Sequence, residues 1–290
     1  MAPADSDLFD RLERFYDALP RPWTRTEEIG SLVLFIREGD GWPYYARPIV
    51  GSHTPSAADI TAVRARQREL GLPESFEWVH ETTPDLLAVA RSAGLDVLLA
   101  PLLALDPAAL VPDLPMRDAG VRWLDPAHPS FAADLLAARS VARLGFAAPA
   151  HQAPLEAVEK TLVIDGAGPH ERDASEPLSA GAVEQARDMF DSGNYLTAVA
   201  ESPVDGIVAT ATSQRVGDVA EIVGVATLPS ARRRGYASQL TATLAGRLLA
   251  DGVNLVFLSA GDDDVARLYT RVGFRRAGTA CIGEPAAAGL

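Results

Sequence analysis

Glu221-Ile222-Val223-Gly224-Val225-Ala226-Thr227-Leu228-Pro229-Ser230-Ala231-Arg232-Arg233-Arg234-Gly235-Tyr236-Ala237-Ser238 changes character twice along its length. Its first part is β-branched and small apolar, the composition of a strand, and Leu228-Pro229 closes that run. Three arginines then lead into Gly235, Tyr236 and Ala237. There a helical pattern sets in, running from Arg234 to Ala250 with Ala237, Leu240, Leu244 and Leu248 on one face and Gly252 placed to end it. A strand that turns directly into a helix aims successive backbone N–H groups, here those of Arg232 to Ser238, at one spot. The positive end of the helix dipole reinforces them. Such a corner binds phosphate, and Gly235 and Ala237 keep its approach clear of bulky side chains. Cations at a helix start oppose the dipole by about 0.3–1 kcal/mol each, so three arginines there point to an anion more than to a solvated charge run.

Outward from this corner the pattern is regular. Upstream, Tyr195 to Glu201, Gly206 to Thr212 and Ala220 to Thr227 read as strands of an antiparallel meander, separated by Pro203-Val204-Asp205-Gly206 and Gly217-Asp218 turns. Downstream, Asn254 to Ser259 reads as a buried strand, Val265 to Val272 as a short helix stopped by Gly273, and a further strand follows. Phe131 to Leu144 is an amphipathic helix, and the breaker-rich stretch Gly166 to Gly181 is expected to be a long internal loop.

With these residues in place, the sequence resembles the GCN5-related N-acetyltransferase (GNAT) family. The Arg-x-x-Gly-x-Ala turn of Arg232, Gly235 and Ala237 follows a strand ending Val225-Ala226-Thr227-Leu228-Pro229. Leu268-Tyr269-Thr270-Arg271-Val272-Gly273-Phe274 is similar to the family's second signature, in the expected order and separation. The likeness covers roughly Val121 to Ile282 and is strongest over Glu221 to Phe274. It implies an acyl-CoA-dependent N-acyltransferase that moves an acetyl group from acetyl-CoA to a primary amine by direct attack, with no metal. It further implies that the backbone of Val225, Ala226 and Thr227 pairs with the pantetheine arm. The amides of Arg232, Arg233, Arg234, Gly235, Tyr236, Ala237 and Ser238 would cradle the pyrophosphate, and Tyr269 would protonate the leaving thiolate. Glu221 matches a position where relatives place an acid and is the candidate general base; its other reading is an outward residue of an alternating strand. Where relatives often carry an asparagine, this sequence has Asp262-Asp263-Asp264, an N-cap for the short helix that leaves one amide contact to the pantetheine arm in doubt.

The N-terminal half ends in the same series. Ala57 to Leu70 reads as a helix, Phe76 to His80 as a strand, Pro84 to Ala93 as a helix stopped at Gly94, and Asp96 to Leu105 as a strand. Gly94-Leu95 therefore lies under Gly273-Phe274. The expectation is an α+β chain of two GNAT-like domains, each a mixed, mainly antiparallel sheet flanked by helices. Residues 1–117 form a degenerate copy and residues 118–290 the acetyl-CoA-binding domain, with the boundary in the breaker-rich Pro107 to Gly120. The first copy lacks the phosphate turn: Gly51-Ser52-His53-Thr54-Pro55-Ser56 precedes its helix, and Ala90, which has no proton to give, stands where Tyr269 would. It is expected to supply a wall of the acceptor site or an oligomer surface, a homodimer included. The Phe76 to Glu81 strand is expected to pack in a core.

Composition sets the outer bounds. A 48% hydrophobic, 22% charged chain excludes wholesale disorder and a collagen-like fibre, and a single cysteine, Cys281, excludes a disulfide scaffold. The net charge of −13 opposes nucleic acid, and an aminoacyl-tRNA donor with it, but steers cationic acceptors inward. No apolar run approaches the ~20 residues of a membrane helix and no signal segment is visible, so the expected location is the cytoplasm. His53, His80, His128, His151 and His170 are too scattered for a metal site. The alternative function is a non-catalytic acyl-CoA-binding or assembly module.

Overall fold

The computed structural model describes residues 3–37, 43–148 and 166–286. It is an α+β chain of mixed, mainly antiparallel sheets flanked by helices, and it divides into two compact units. The first comprises residues 1–104, 259–266 and 276–290, and the second residues 105–258 and 267–275. In chain order the elements are α1 (Pro3–Ala18), β1 (Thr24–Ile29), β2 (Leu32–Arg37), β3 (Arg47–Pro48), α2 (Ala57–Glu69), β4 (Phe76–Val79), α3 (Leu86–Ser92), β5 (Leu95–Leu105), β6 (Gly120–Trp123) and α4 (Phe131–Ala147). Then come α5 (Pro169–Asp173), α6 (Ala180–Asp191), β7 (Tyr195–Ser202), β8 (Gly206–Val216), β9 (Val219–Thr227), α7 (Tyr236–Ala250), β10 (Leu255–Ser259), α8 (Asp263–Thr270) and β11 (Phe274–Pro285).

In the first unit β1, β2 and β3 form an antiparallel sheet. A second set of strands places β11 between β4 and β5. Leu32, Leu34, Ile60, Val63, Phe76, Trp78, Ala90 and Cys281 are buried in one apolar cluster, as expected for the Phe76 strand. Arg47 is also buried; it pairs with Glu13 at 3.1 Å and Glu77 at 2.9 Å and lies over the Tyr16 ring.

The second unit runs β10-β9-β8-β7-β6, antiparallel except for the β9–β10 pair. The meander forms because β-branched and alanine residues fill β7 and β8 while Gly206 and Gly217 take the left-handed conformation their turns require. Helices α4 and α7 pack on this sheet. Arg122 of β6 grips Asp134 of α4 through two hydrogen bonds of 2.9 and 3.0 Å, fixing that helix to the sheet edge.

Two expectations need correction. Gly166 to Gly181 is not a long loop but carries α5 and opens α6, started by Pro169 at its first turn and by Ser179, whose hydroxyl accepts the Ala182 N–H. The helix expected from Arg234 begins two residues later, so all three arginines belong to the turn. Residues 105–117 pack within the second unit, and residues 259–266 and 276–290 fall with the first.

The element order of the two halves runs in parallel: three strands, helix, strand, helix, strand in β1 to β5, and again in β7 to β11. No helix among the described residues is long and apolar enough to cross a membrane.

Candidate functional site

Strand β9 starts as an ordinary central strand and, among the described residues, ends with one edge unpaired. Its parallel pairing with β10 covers Val219, Ala220 and Glu221 only, the last opposite Phe257. On the other side, Thr210 of β8 faces Ala226 and Thr212 faces Val223, so Ala211 alone spans Gly224 and Val225. This is a β-bulge, and Gly224 at φ +62° supplies its left-handed residue. A bulge bends its strand, and here the bend follows directly after the last β9–β10 rung. Val223, Gly224, Val225 and Thr227 are left partly exposed in mid-unit. Gly145 of α4 covers the strand end closely; a Cβ on it would lie 3.0 Å from the Ala226 Cβ and 3.1 Å from the Thr227 carbonyl.

Beyond Leu228 the chain makes a single 3-10 turn over Pro229–Ala231 and enters the arginine turn. Here the three arginines part. The Arg232 Nη2 donates to the carbonyl of Gly145 at 2.7 Å and to that of Ala148, so this side chain closes the C-terminal turn of α4, where a cation is favourable. Arg233, at φ +63°, is exposed, and Arg234 is half-buried. Neither guanidinium has an ion pair or hydrogen bond among the described residues. Gly235 at φ +89° is the N-cap of α7 and gives the helix no side-chain cap. The first N–H of α7 to find a protein acceptor is that of Gln239, on the Gly235 carbonyl at 3.1 Å. The N–H groups of Tyr236, Ala237 and Ser238 have none among the described residues. Sequence-assigned residues Val225 to Ser238 thus form one continuous strand end, turn and helix start.

The corresponding helix of the first unit is finished differently. Ser56 Oγ accepts the Asp59 N–H at 3.2 Å, and Asp59 returns the bond by accepting the Ser56 N–H at 2.9 Å. This capping box supplies its own carboxylate, whose pKa is held below the ordinary aspartate value by the Ser56 backbone N–H. One helix start is sealed by its own side chains; the other is open among the described residues.

Glu221 is buried and engaged within the fold, and it stands on the last rung of the β9–β10 ladder, where the strands part. Tyr269 on α8 is buried edge-on to Phe274, with ring centroids 6.3 Å apart. Burial pushes its phenol well above the usual value, so it stays protonated at neutral pH. Asp262 accepts the Val265 N–H at 2.7 Å, which makes it the cap of α8, and Asp263 pairs with Arg276 at 2.9 Å. Among the described residues no group of three or more His, Cys, Asp or Glu is arranged to hold a metal; His151 lies outside them.

One part of the site went unread in the sequence. Asp106 to Asp118, which overlaps the breaker-rich Pro107 to Gly120, lies along the second unit. The Asp106 N–H donates to Gly273 O, Val111 N–H to Val272 O and Arg117 N–H to Arg234 O, each at 3.0 Å. Gln239 clasps the same stretch. Its Oε1 accepts the Leu114 N–H at 2.6 Å and its Nε2 donates to Pro112 O at 3.3 Å. A Cβ on Gly235 would meet Pro115 O at 2.0 Å, and one on Gly273 would meet Ala109 O at 2.6 Å. The glycines of both sequence signatures are therefore seats for this strap.

Residues 168–274 match the model of the acetyltransferase (GNAT) family. A search of curated proteins returns no significant match. Among solved structures, the chain is similar to a GCN5-related N-acetyltransferase from Kribbella flavida at 22% identity, covering 96% of each chain with a TM-score of 0.66. It is also similar to a tandem GNAT protein from the clavulanic acid biosynthesis pathway, at 13% identity over 90% of this chain and 80% of that one, with a TM-score of 0.51. A GCN5-related N-acetyltransferase-like protein from Streptococcus suis matches at 14% identity over 96% and 98%, with a TM-score of 0.51. These likenesses give the fold. Residues 168–274 thus match the GNAT family model, and the chain shares its fold with GCN5-related N-acetyltransferases over nearly its whole length.

Proposed function

We propose that the protein is an acetyl-CoA-dependent N-acetyltransferase acting on a primary amine. The observation that carries this reading is the open start of α7: three backbone donors and a helix dipole that meet no acceptor among the described residues, after a strand whose pairing with β10 ends at Glu221. The amides of the Arg232 to Ser238 turn hold the diphosphate. The edge of Val225 to Thr227 accepts the pantetheine amides as a further strand would. Residues 118–290, with the strap of residues 106–117 packed on their arginine turn, carry the cosubstrate, and the N-terminal part before that strap acts as a degenerate copy whose Ser56–Asp59 box excludes phosphate.

In the reaction the amine nitrogen bonds to the thioester carbonyl carbon, the carbon–sulfur bond breaks, the sulfur leaves with its electron pair, and the surplus proton on the acylated nitrogen replaces the one the thiolate takes up. An amine of pKa ~10.4 must first lose a proton, at a cost of about 4–5 kcal/mol at pH 7. Glu221, at the fork of β9 and β10, is the proposed acceptor of that proton, directly or through water. Tyr269, kept neutral by burial, is the proposed donor to the departing thiolate.

Calorimetry with acetyl-CoA and a thiol-release assay over a panel of amines test the reading. Binding with turnover by the native protein, and a turnover loss of about 10²-fold in Tyr269→Phe with acetyl-CoA affinity kept, is the expected result. Absence of acetyl-CoA binding overturns it. Binding without turnover of any amine leaves the non-catalytic acyl-CoA module as the function.

A further inference from the structure

We propose that Arg117 reads the 3′-phosphate of coenzyme A and so makes the protein discriminate against cosubstrates that lack this group. The inference rests on the acyl-CoA reading above and deepens it.

Coenzyme A presents two anionic groups of different geometry: a diphosphate within the chain of the molecule and a phosphate monoester on the ribose. Backbone donors at a helix start suit the first. The second needs a side-chain cation standing beside that helix start and not within it. Arg117 meets this description. Its backbone N–H is bonded to the carbonyl of Arg234, within the arginine turn, at 3.0 Å. Its side chain is exposed, with no ion pair or hydrogen bond among the described residues. The strap around it is held by the Gln239 clasp and by the seat of Pro115 on Gly235, so its position follows that of the turn itself.

Arg117 shares its lack of a side-chain partner among the described residues with Arg14, Arg91 and Arg271, and of these four it is the one whose backbone is bonded to the arginine turn. The net charge is −13, and Arg21, Arg47, Arg64, Arg66, Arg122, Arg247 and Arg276 each have a carboxylate partner. Arg117, Arg233 and Arg234 gather at one corner without one, although Asp113 and Asp118 lie on the same strap. A phosphate is the partner that chemistry fits best, since a guanidinium binds it through two parallel N–H donors. Arg233 and Arg234 lie in the turn and serve the diphosphate, whereas Arg117 comes from outside it.

The test is calorimetric titration of the full-length protein with coenzyme A and with 3′-dephospho-coenzyme A. The native protein is expected to prefer coenzyme A by roughly tenfold or more, the scale of one charge-assisted hydrogen-bonded pair. Arg117→Ala should reduce that ratio to within about twofold by weakening coenzyme A alone, and Arg117→Lys should restore part of it. Arg233→Ala and Arg234→Ala should weaken both ligands alike. Because the Arg117 side chain is exposed, its removal should leave the thermal midpoint in place, which separates lost recognition from lost fold. A native ratio near one, or a ratio that survives Arg117→Ala, overturns the assignment of Arg117 and leaves the acyl-CoA reading standing. If the native protein binds neither compound, both fall.

Discussion

Gly235 answers three demands at once: a left-handed backbone, an N-cap without a side chain, and a surface flat enough for the Pro115 carbonyl to rest on it. Gly224 answers only the first, since a Cβ there would meet nothing within 4 Å. The pair separates backbone strain from packing. Gly224→Ala should cost about 1–2 kcal/mol, the penalty of placing an L-residue in the left-handed region. Gly235→Ala must pay the same penalty and also push the strap off its seat, so it should be the more destabilising and should weaken acetyl-CoA binding as well. Denaturant midpoints of the two variants, with calorimetric titration of each, check this; equal effects would mean that the strap does not depend on Gly235. Arg232 shows how far a residue can be read without coordinates. Its place in the Arg-x-x-Gly-x-Ala turn was legible, but an arginine that closes α4 and an arginine that meets phosphate are the same letter, and only the carbonyls of Gly145 and Ala148 tell them apart.

At the level of elements, α2 and α7 occupy matching places in the two halves and differ in how their first turns are satisfied. Helix α2 spends its own Ser56 and Asp59 on its orphan N–H groups, which makes it a structural start. Ser56→Ala should therefore lower stability by about 1 kcal/mol and leave acetyl-CoA affinity untouched; a lowered affinity in that variant would mean that α2 has kept a part in binding. The meander, α7, β10 and α8 were legible because apolar periodicity and glycine stops agree at each of them. The bulge in β9 had a signal too, a lone glycine within a strand pattern, although pairing register is needed to show that Gly224 and Val225 share Ala211 as partner. The Asp106 to Asp118 strap had none. Proline, glycine and aspartate mark where regular structure stops but not where the chain then lies, so a free linker and a clasped strap have one composition. Helices α5 and α6 were hidden for the same reason, their capping prolines, glycines and serines looking like loop.

For the molecule as a whole, acid acts through two terms of opposite sign. At pH 7 the charge of −13 repels itself, and protonation towards the pI near 4.8 relieves that repulsion. Against this stand carboxylates whose folded-state pKa is depressed. Glu27 is brought down to about 2 by hydrogen bonds from Arg66 and Arg25, and Glu74 is lowered by Arg64 and Arg68. In Asp134 burial pushes upward but is outweighed by Arg122 and Ser130. A depressed carboxylate contributes stability that is present above its unfolded pKa and disappears as pH falls through the folded one. These three therefore hold the fold at neutral pH and release it between about pH 4.5 and 2. Glu77 runs the other way: burial raises it, with Arg47 opposing, so its contribution is present below its unfolded pKa and is lost as pH rises through the folded value. The expected profile is a thermal midpoint that is level or rising from pH 7 to about 5 and falls steeply below about pH 4. Salt separates the two terms. Added at pH 7 it should raise the midpoint by screening self-repulsion, while near the pI, with little net charge left to screen, it should do much less. Melting curves at pH 7, 5 and 3, each at low and high sodium chloride, measure both. A midpoint that falls steadily from pH 7 downward would show that the paired carboxylates outweigh the net charge throughout.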